Sequence, residues 1–166
     1  MAKKEHLKII KQGTDVWNKW RKDNPDIKPD LREAGFREAD LREASLYNAD
    51  LEGANFEEAD LHKADLHEAD LYKAGFQGAR LEEADLRKAN LKKAKLLYAN
   101  LQRADLEGAD LEGANLWRAD LQGVNLQGVS LQGANLNDIR IDPETIDQIP
   151  EEIQEKYRNK WFVISK

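Results

Sequence analysis

One apolar residue returns at every fifth position from Leu31 to Ile141 without a slip, making about 23 units in succession. It is Leu throughout except at Phe36, Phe56, Phe76 and Ile141. A single α-helix does not satisfy this pattern, because five residues advance about 140° past a full turn and would spread the leucines around every side. A single long strand fails as well: its side-chain period is two, so an odd step throws successive leucines onto opposite faces. Within one unit, Ala39-Asp40-Leu41 reads inward, outward, inward, and the two residues that follow in each unit are mostly charged, Gln or Gly. That is a short extended rung followed by a corner. The chain must therefore bend every five residues, always in the same sense.

The second corner position holds Gly53, Gly78, Gly108, Gly113, Gly123, Gly128 and Gly133, as expected of type II turns, which need a positive φ there. Phe36, Phe56 and Phe76 recur at intervals of twenty residues, which favours four units to a coil and a square cross-section. With β-spacing between coils of about 4.8 Å, five to six coils make a shaft roughly 25–30 Å long. Its axis is expected to be a continuous column of Leu, Phe and Ala that leaves no interior volume for a substrate.

With its small residue, Asp or Asn, central Leu or Phe, and two variable positions, the segment 29–142 resembles the pentapeptide repeat family. The resemblance implies an all-β solenoid, a right-handed quadrilateral β-helix whose small and central residues point inward. The departures are local: Val124 and Val129 stand where the small Ala is usual, and Gly35, Gly75, Arg80, Lys95 and Arg140 where Asp or Asn is usual.

A solenoid ends in an open apolar cross-section and unpaired strand edges, so both flanks are expected to be helical caps. Residues 1–28 form the first: Leu7, Ile10, Trp17 and Trp20 fall at helical spacings, Gly13 marks a kink, and Asn24-Pro25 a stop. The stretch from Val16-Trp17-Asn18-Lys19-Trp20-Arg21 to Lys28-Pro29-Asp30-Leu31 is similar to the leader of cyanobacterial pentapeptide repeat proteins. Residues 143–166 form the second, with helix starts at Asp142-Pro143-Glu144 and Pro150-Glu151-Glu152. Ile153, Tyr157 and Trp161 are expected on one covering face, and Phe162-Val163-Ile164 form an apolar tail whose packing the sequence leaves open.

The chemical inventory is thin. Cysteine is absent, which removes disulfides, thiolate metal sites and cysteine nucleophiles. His62 and His67 fall at corners of neighbouring faces, so the three histidines, with His6, read as solvated side chains and not as a metal set. The stack Asp65, Asp85, Asp105 is better suited to hydrogen bonds with turn amides than to a cation. Ser45, Ser130 and Ser165 lie in no nucleophile elbow, and no glycine-rich phosphate loop follows a strand. No catalytic residue, metal or cofactor is expected, and no small-molecule substrate. The chain also lacks an apolar run long enough for a membrane span or a secretory leader, so a cytoplasmic protein is expected.

Two functions fit this description. The first is a non-catalytic protein-interaction or structural scaffold whose variable positions can change without touching the core. The second follows from the resemblance alone: some pentapeptide repeat proteins mimic duplex DNA and bind DNA gyrase, as an inhibitor or modulator. Such mimicry needs a long acidic surface, whereas Arg80, Arg87, Lys88, Lys92, Lys93, Lys95 and Arg103 form a basic belt across mid-rod. The scaffold reading is preferred, with a protein partner and not nucleic acid, and with a monomer expected over a dimer. Corner positions are almost all polar, yet Leu97, Tyr98 and Trp117 occupy them, with Lys95 and Arg118 alongside. These five residues are the candidate protein-binding patch.

Overall fold

The computed structural model describes residues 2–164. In chain order it has α1 (Lys4–Ile10), α2 (Thr14–Asp23), a long stack of coils, then β1 (Arg140–Ile141), α3 (Pro143–Ile146), α4 (Glu151–Tyr157) and β2 (Phe162–Val163). No helix among these residues is long and apolar enough to cross a membrane.

The coils are set by a constant register. Asp30 bridges to Asp50, Gly35 to Asn55, Asp40 to Asp60 and Ser45 to Asp65, all in parallel, and the same offset runs on to Asp120 with Arg140. Four pentapeptides thus complete each coil, and the three phenylalanines stack as their spacing predicted: Phe36 on Phe56 at 5.2 Å and Phe56 on Phe76 at 4.9 Å between ring centres. Each rung is so short that the ladder consists of single bridges. The backbone nevertheless pairs repeatedly, as where Leu31 N–H donates to the Asp50 carbonyl (2.8 Å) and Asp50 N–H to the Pro29 carbonyl (2.8 Å). Inside, the small and central residues are buried from Ala44 through Leu121, and each such Leu contributes about 1.5–3 kcal/mol of burial to offset chain entropy.

The corners explain both remaining positions of the repeat. Ala34 N–H donates to the Leu31 carbonyl across the turn (3.1 Å), and every second corner residue from Glu33 to Asp138 has positive φ, whether it is glycine or not. Positive φ at that position alone defines a type II turn. The Asp or Asn before each corner accepts from the first corner amide, as from Glu57 N–H to Asn55 (2.9 Å) or His62 N–H to Asp60 (3.1 Å). This is why the outward rung position favours those two residues.

The two caps close the stack by different means. At the start, side chains of α1 and α2 take up the polar groups of the first coil. Trp17 Nε1–H donates to the Ser45 carbonyl (2.9 Å), Asn18 donates to the Glu43 carbonyl and accepts from Ser45 N–H, and Arg21 donates to the Ile27 and Tyr47 carbonyls. His6 departs from expectation. It is buried, not solvated, because its Nδ1 accepts the otherwise unpaired Asp30 N–H (2.9 Å). Burial, aided by Lys3, pushes its pKa down and keeps it the neutral acceptor this bond needs.

At the far end, Asp142 caps α3 through Thr145 N–H (3.0 Å) and also accepts from Gly123 N–H. Burial raises its pKa, but these hydrogen bonds together outweigh burial and hold the carboxyl below its usual value. Tyr157 Oη–H donates to the Ala134 carbonyl (3.0 Å) and Trp161 Nε1–H to the Leu136 carbonyl (2.9 Å). Trp161 reaches that position past the end of α4, not as part of one helical face with Ile153 and Tyr157. The apolar tail becomes β2, which lies parallel to β1 with Arg140 opposite Phe162 and Ile141 opposite Val163.

Candidate functional site

Positions 97, 117 and 137 occupy the same corner of successive coils, as do 98, 118 and 138. Of the five patch residues, Tyr98, Trp117 and Arg118 are thereby brought into contact. Tyr98 is 51% exposed and its ring meets Trp117 edge-on, 5.0 Å between centres. The Arg118 guanidinium sits 4.5 Å from the Trp117 ring centre and 6.0 Å from that of Tyr98, within the range of cation–π attraction. Trp117 Nε1–H donates to Asp138 Oδ2 (3.0 Å), which also pairs with Arg118 (3.6 Å). Leu97 and Trp117 are half-buried, while Lys95 is exposed on the adjoining face and bridges to Asn115.

The Trp117 ring is thus held by an indole hydrogen bond and a guanidinium. Asp138 went unnoticed in the sequence because it looks like an ordinary corner residue. Only the twenty-residue register places it under the indole.

The C-terminal tail arrives beside this patch and does not cover it. Tyr98, Arg118, Asp138, Arg140, Phe162 and Ile164 line a depression of about 420 Å³, and Phe162 and Val163 remain 58% and 48% exposed.

The basic belt is largely neutralised. Arg80 pairs with Asp60 (3.0 Å), Lys92 with Glu112 (2.9 Å) and Asp110 (3.1 Å), Lys88 with Glu68 (3.8 Å) and Arg103 with Glu83 (3.9 Å). Most of these pairs cross between coils at the twenty-residue offset, so acidic and basic groups alternate along the rod. Exposed pairs of this kind are worth about 0–1 kcal/mol each, and their main effect is to interrupt the acidic surface at mid-rod.

His67 Nδ1 lies 2.6 Å from Asp65 Oδ1, and ligand atoms of Asp65, His67 and Asp85 fall within 4.8 Å of one another. Yet Arg87 forks onto both oxygens of Asp85, and that guanidinium holds the Asp85 carboxyl below the usual range. The acidic stack is therefore occupied by the protein's own cation. His62 is not part of this group.

A model of pentapeptide repeats matches residues 34–71, 64–96 and 99–138, in 8 copies. The chain belongs to the pentapeptide repeat family. Among solved structures it is similar to a pentapeptide repeat protein of the cyanobacterium Cyanothece 51142, at 39% identity over 60% of this chain and 60% of that one, with a TM-score of 0.36. It is also similar to HetL, a pentapeptide repeat protein involved in heterocyst differentiation regulation in the cyanobacterium Nostoc, at 29% identity over 63% of this chain and 75% of that one, TM-score 0.34. A plasmid-mediated fluoroquinolone resistance protein aligns at 19% identity over 75% of this chain and 74% of that one, TM-score 0.29. No match is found among curated proteins.

Proposed function

We propose that this pentapeptide repeat protein is a non-catalytic scaffold of the cytoplasm that binds another protein, displayed on a right-handed quadrilateral β-helix of about 23 units. The observation that carries this reading is the division of labour within each unit. Central leucines such as Leu66, Leu86 and Leu91 are fully buried on the axis, whereas corner residues such as Glu83, Lys93 and Tyr98 are exposed. Recognition can be rewritten at the corners with the core unchanged. The contact face is the patch of Lys95, Leu97, Tyr98, Trp117 and Arg118, where aromatic rings and cations are the groups enriched at binding hot spots.

Mimicry of DNA toward gyrase is the weaker reading, because Arg80, Arg87 and Lys92 sit between carboxylates and interrupt the acidic surface such mimicry requires. Purified protein is expected to leave gyrase supercoiling unaffected at micromolar concentration. The test of the scaffold reading is affinity capture from the source cell, repeated with Leu97→Asp and Trp117→Ala. Each change should weaken a captured partner by more than about 1 kcal/mol while the folded spectrum stays the same. Undiminished capture by the double variant would remove this face.

A further inference from the structure

Among the described residues, the last rung of the rod has an unused side. Phe162 N–H donates to the Ile139 carbonyl (2.9 Å) and Ile164 N–H to the Ile141 carbonyl (2.8 Å), both back toward the stack. Backbone groups of neighbouring residues in a parallel rung point to opposite sides. The N–H and C=O of Val163 therefore point away from the last coil. In every earlier coil the equivalent groups are used, as where Leu121 N–H donates to the Arg140 carbonyl (2.8 Å).

The side chains repeat the same message. Val163 stands opposite Ile141, so it lies on the inward side of the rung, in line with the Leu101, Leu121 and Ile141 column, yet it is 48% exposed where those are buried. Phe162 stands opposite Arg140 on the outward side, 58% exposed, at the mouth of the depression that runs to Tyr98. Elsewhere on this end it is side chains, not a strand, that meet the backbone: Tyr157 and Trp161 donate to the Ala134 and Leu136 carbonyls, and Gln148 accepts from Leu126 N–H (2.7 Å).

The geometry points to β2 as a docking edge for an extended peptide segment of a partner protein, which adds as the next rung. The site itself specifies the peptide. It must be extended, so that its backbone meets the Val163 N–H and C=O; it needs an aliphatic residue above Val163 and an apolar or aromatic neighbour above Phe162. This rests on the protein-binding reading and names its mode: backbone hydrogen bonds supply affinity, and the patch beside the edge supplies selectivity.

The experiment is to pan a random dodecapeptide display library on the full-length chain and then measure the enriched peptides, as synthetic probes, by fluorescence anisotropy. The variant is Val163→Pro, which removes the outward donor together with the isopropyl group and keeps the Phe162 and Ile164 amides; proline is tolerated on edge strands. Expected are peptides with adjacent apolar residues whose affinity falls by about tenfold or more against Val163→Pro. A parallel loss is expected when the backbone amides of the peptide itself are N-methylated, a reading that does not depend on how the variant folds. Peptides that bind wild type and Val163→Pro equally, or tolerate N-methylation, would overturn the edge. If those same peptides fail on the Leu97→Asp, Trp117→Ala double variant, the scaffold reading stands without the edge. Failure to enrich any peptide, or a dimer in sedimentation velocity that Val163→Pro dissolves, would also overturn it, the latter by giving the edge to a second copy of the chain.

Discussion

The two ends of the rod face one problem and solve it differently. At the N-terminal end the exposed carbonyls and amides of the first coil are met by side chains of α1 and α2, chiefly His6, Trp17, Asn18 and Arg21. At the C-terminal end side chains of Asp142, Gln148, Tyr157 and Trp161 do similar work on three sides, but on the fourth the chain adds one more rung of backbone. A side chain terminates a ladder, because it accepts or donates and offers nothing beyond. A strand only moves the free edge outward by one step. The first end is met by side chains, whereas the second also presents a backbone rung, β2.

That contrast can be broken by experiment. Trp17, on α2, is wholly buried against the first coil, and Trp17→Ala is expected to cost about 3–5 kcal/mol in urea unfolding. A loss below about 1 kcal/mol would show that the N-terminal cap is not part of the cooperative unit. Asp142→Ala should cost about 1–3 kcal/mol, because it leaves the Gly123 and Thr145 amides without their acceptor. Asp142→Asn keeps one acceptor oxygen where both are used, so a smaller loss than in Asp142→Ala is expected, and an equal loss would show that a single acceptor does not hold the cap.

Between the caps the corners offer a smaller test. Gly108 has φ +66° and only Lys88 Cγ, at 3.6 Å, near a new Cβ, so Gly108→Ala is expected to cost about 1 kcal/mol through backbone strain alone.

The smallest effect separates the ends by pH. The His6 pKa is lowered in the folded chain, so as pH falls through the unfolded value of about 6.5 the unfolded state binds the proton first and stability declines toward the folded value. The Asp142 carboxyl is likewise lowered, and its contribution is lost only as pH falls below about 4. Tryptophan fluorescence or amide exchange should therefore show the N-terminal cap loosening first on acidification, and a His6→Gln variant should remove that early phase.

Much of this architecture was legible in the order of residues. The period of five excludes a straight helix or strand, and the phenylalanines at 36, 56 and 76 announced the coil length. The corners were only half legible. Glycine marks seven of them, but Glu33, Lys93 and Tyr98 adopt the same positive φ, because the stacked coils impose it on whatever residue arrives. The caps were recognised as helices, whereas the burial of His6 and Arg21 was hidden. A polar residue on an amphipathic helix resembles a solvated one until the unpaired backbone it serves is in place. Leu97, Tyr98 and Trp117 stand out in the sequence as unusual corner residues, but the coupling of Trp117 to Asp138 and the approach of the tail depend on contacts between coils, which no local pattern records.

The fixed twenty-residue register makes the rod behave like a spiral staircase with four landings per storey. Inserting one pentapeptide would leave the core chemistry intact but turn everything downstream by a quarter of a revolution. Lys92 would no longer stand beneath Glu112, nor Trp117 beside Asp138. Inserting four pentapeptides would add a storey and leave every downstream alignment as it was. Length and surface pattern are therefore separately adjustable, and duplication of whole coils is the one change in length that preserves both ladders and patch.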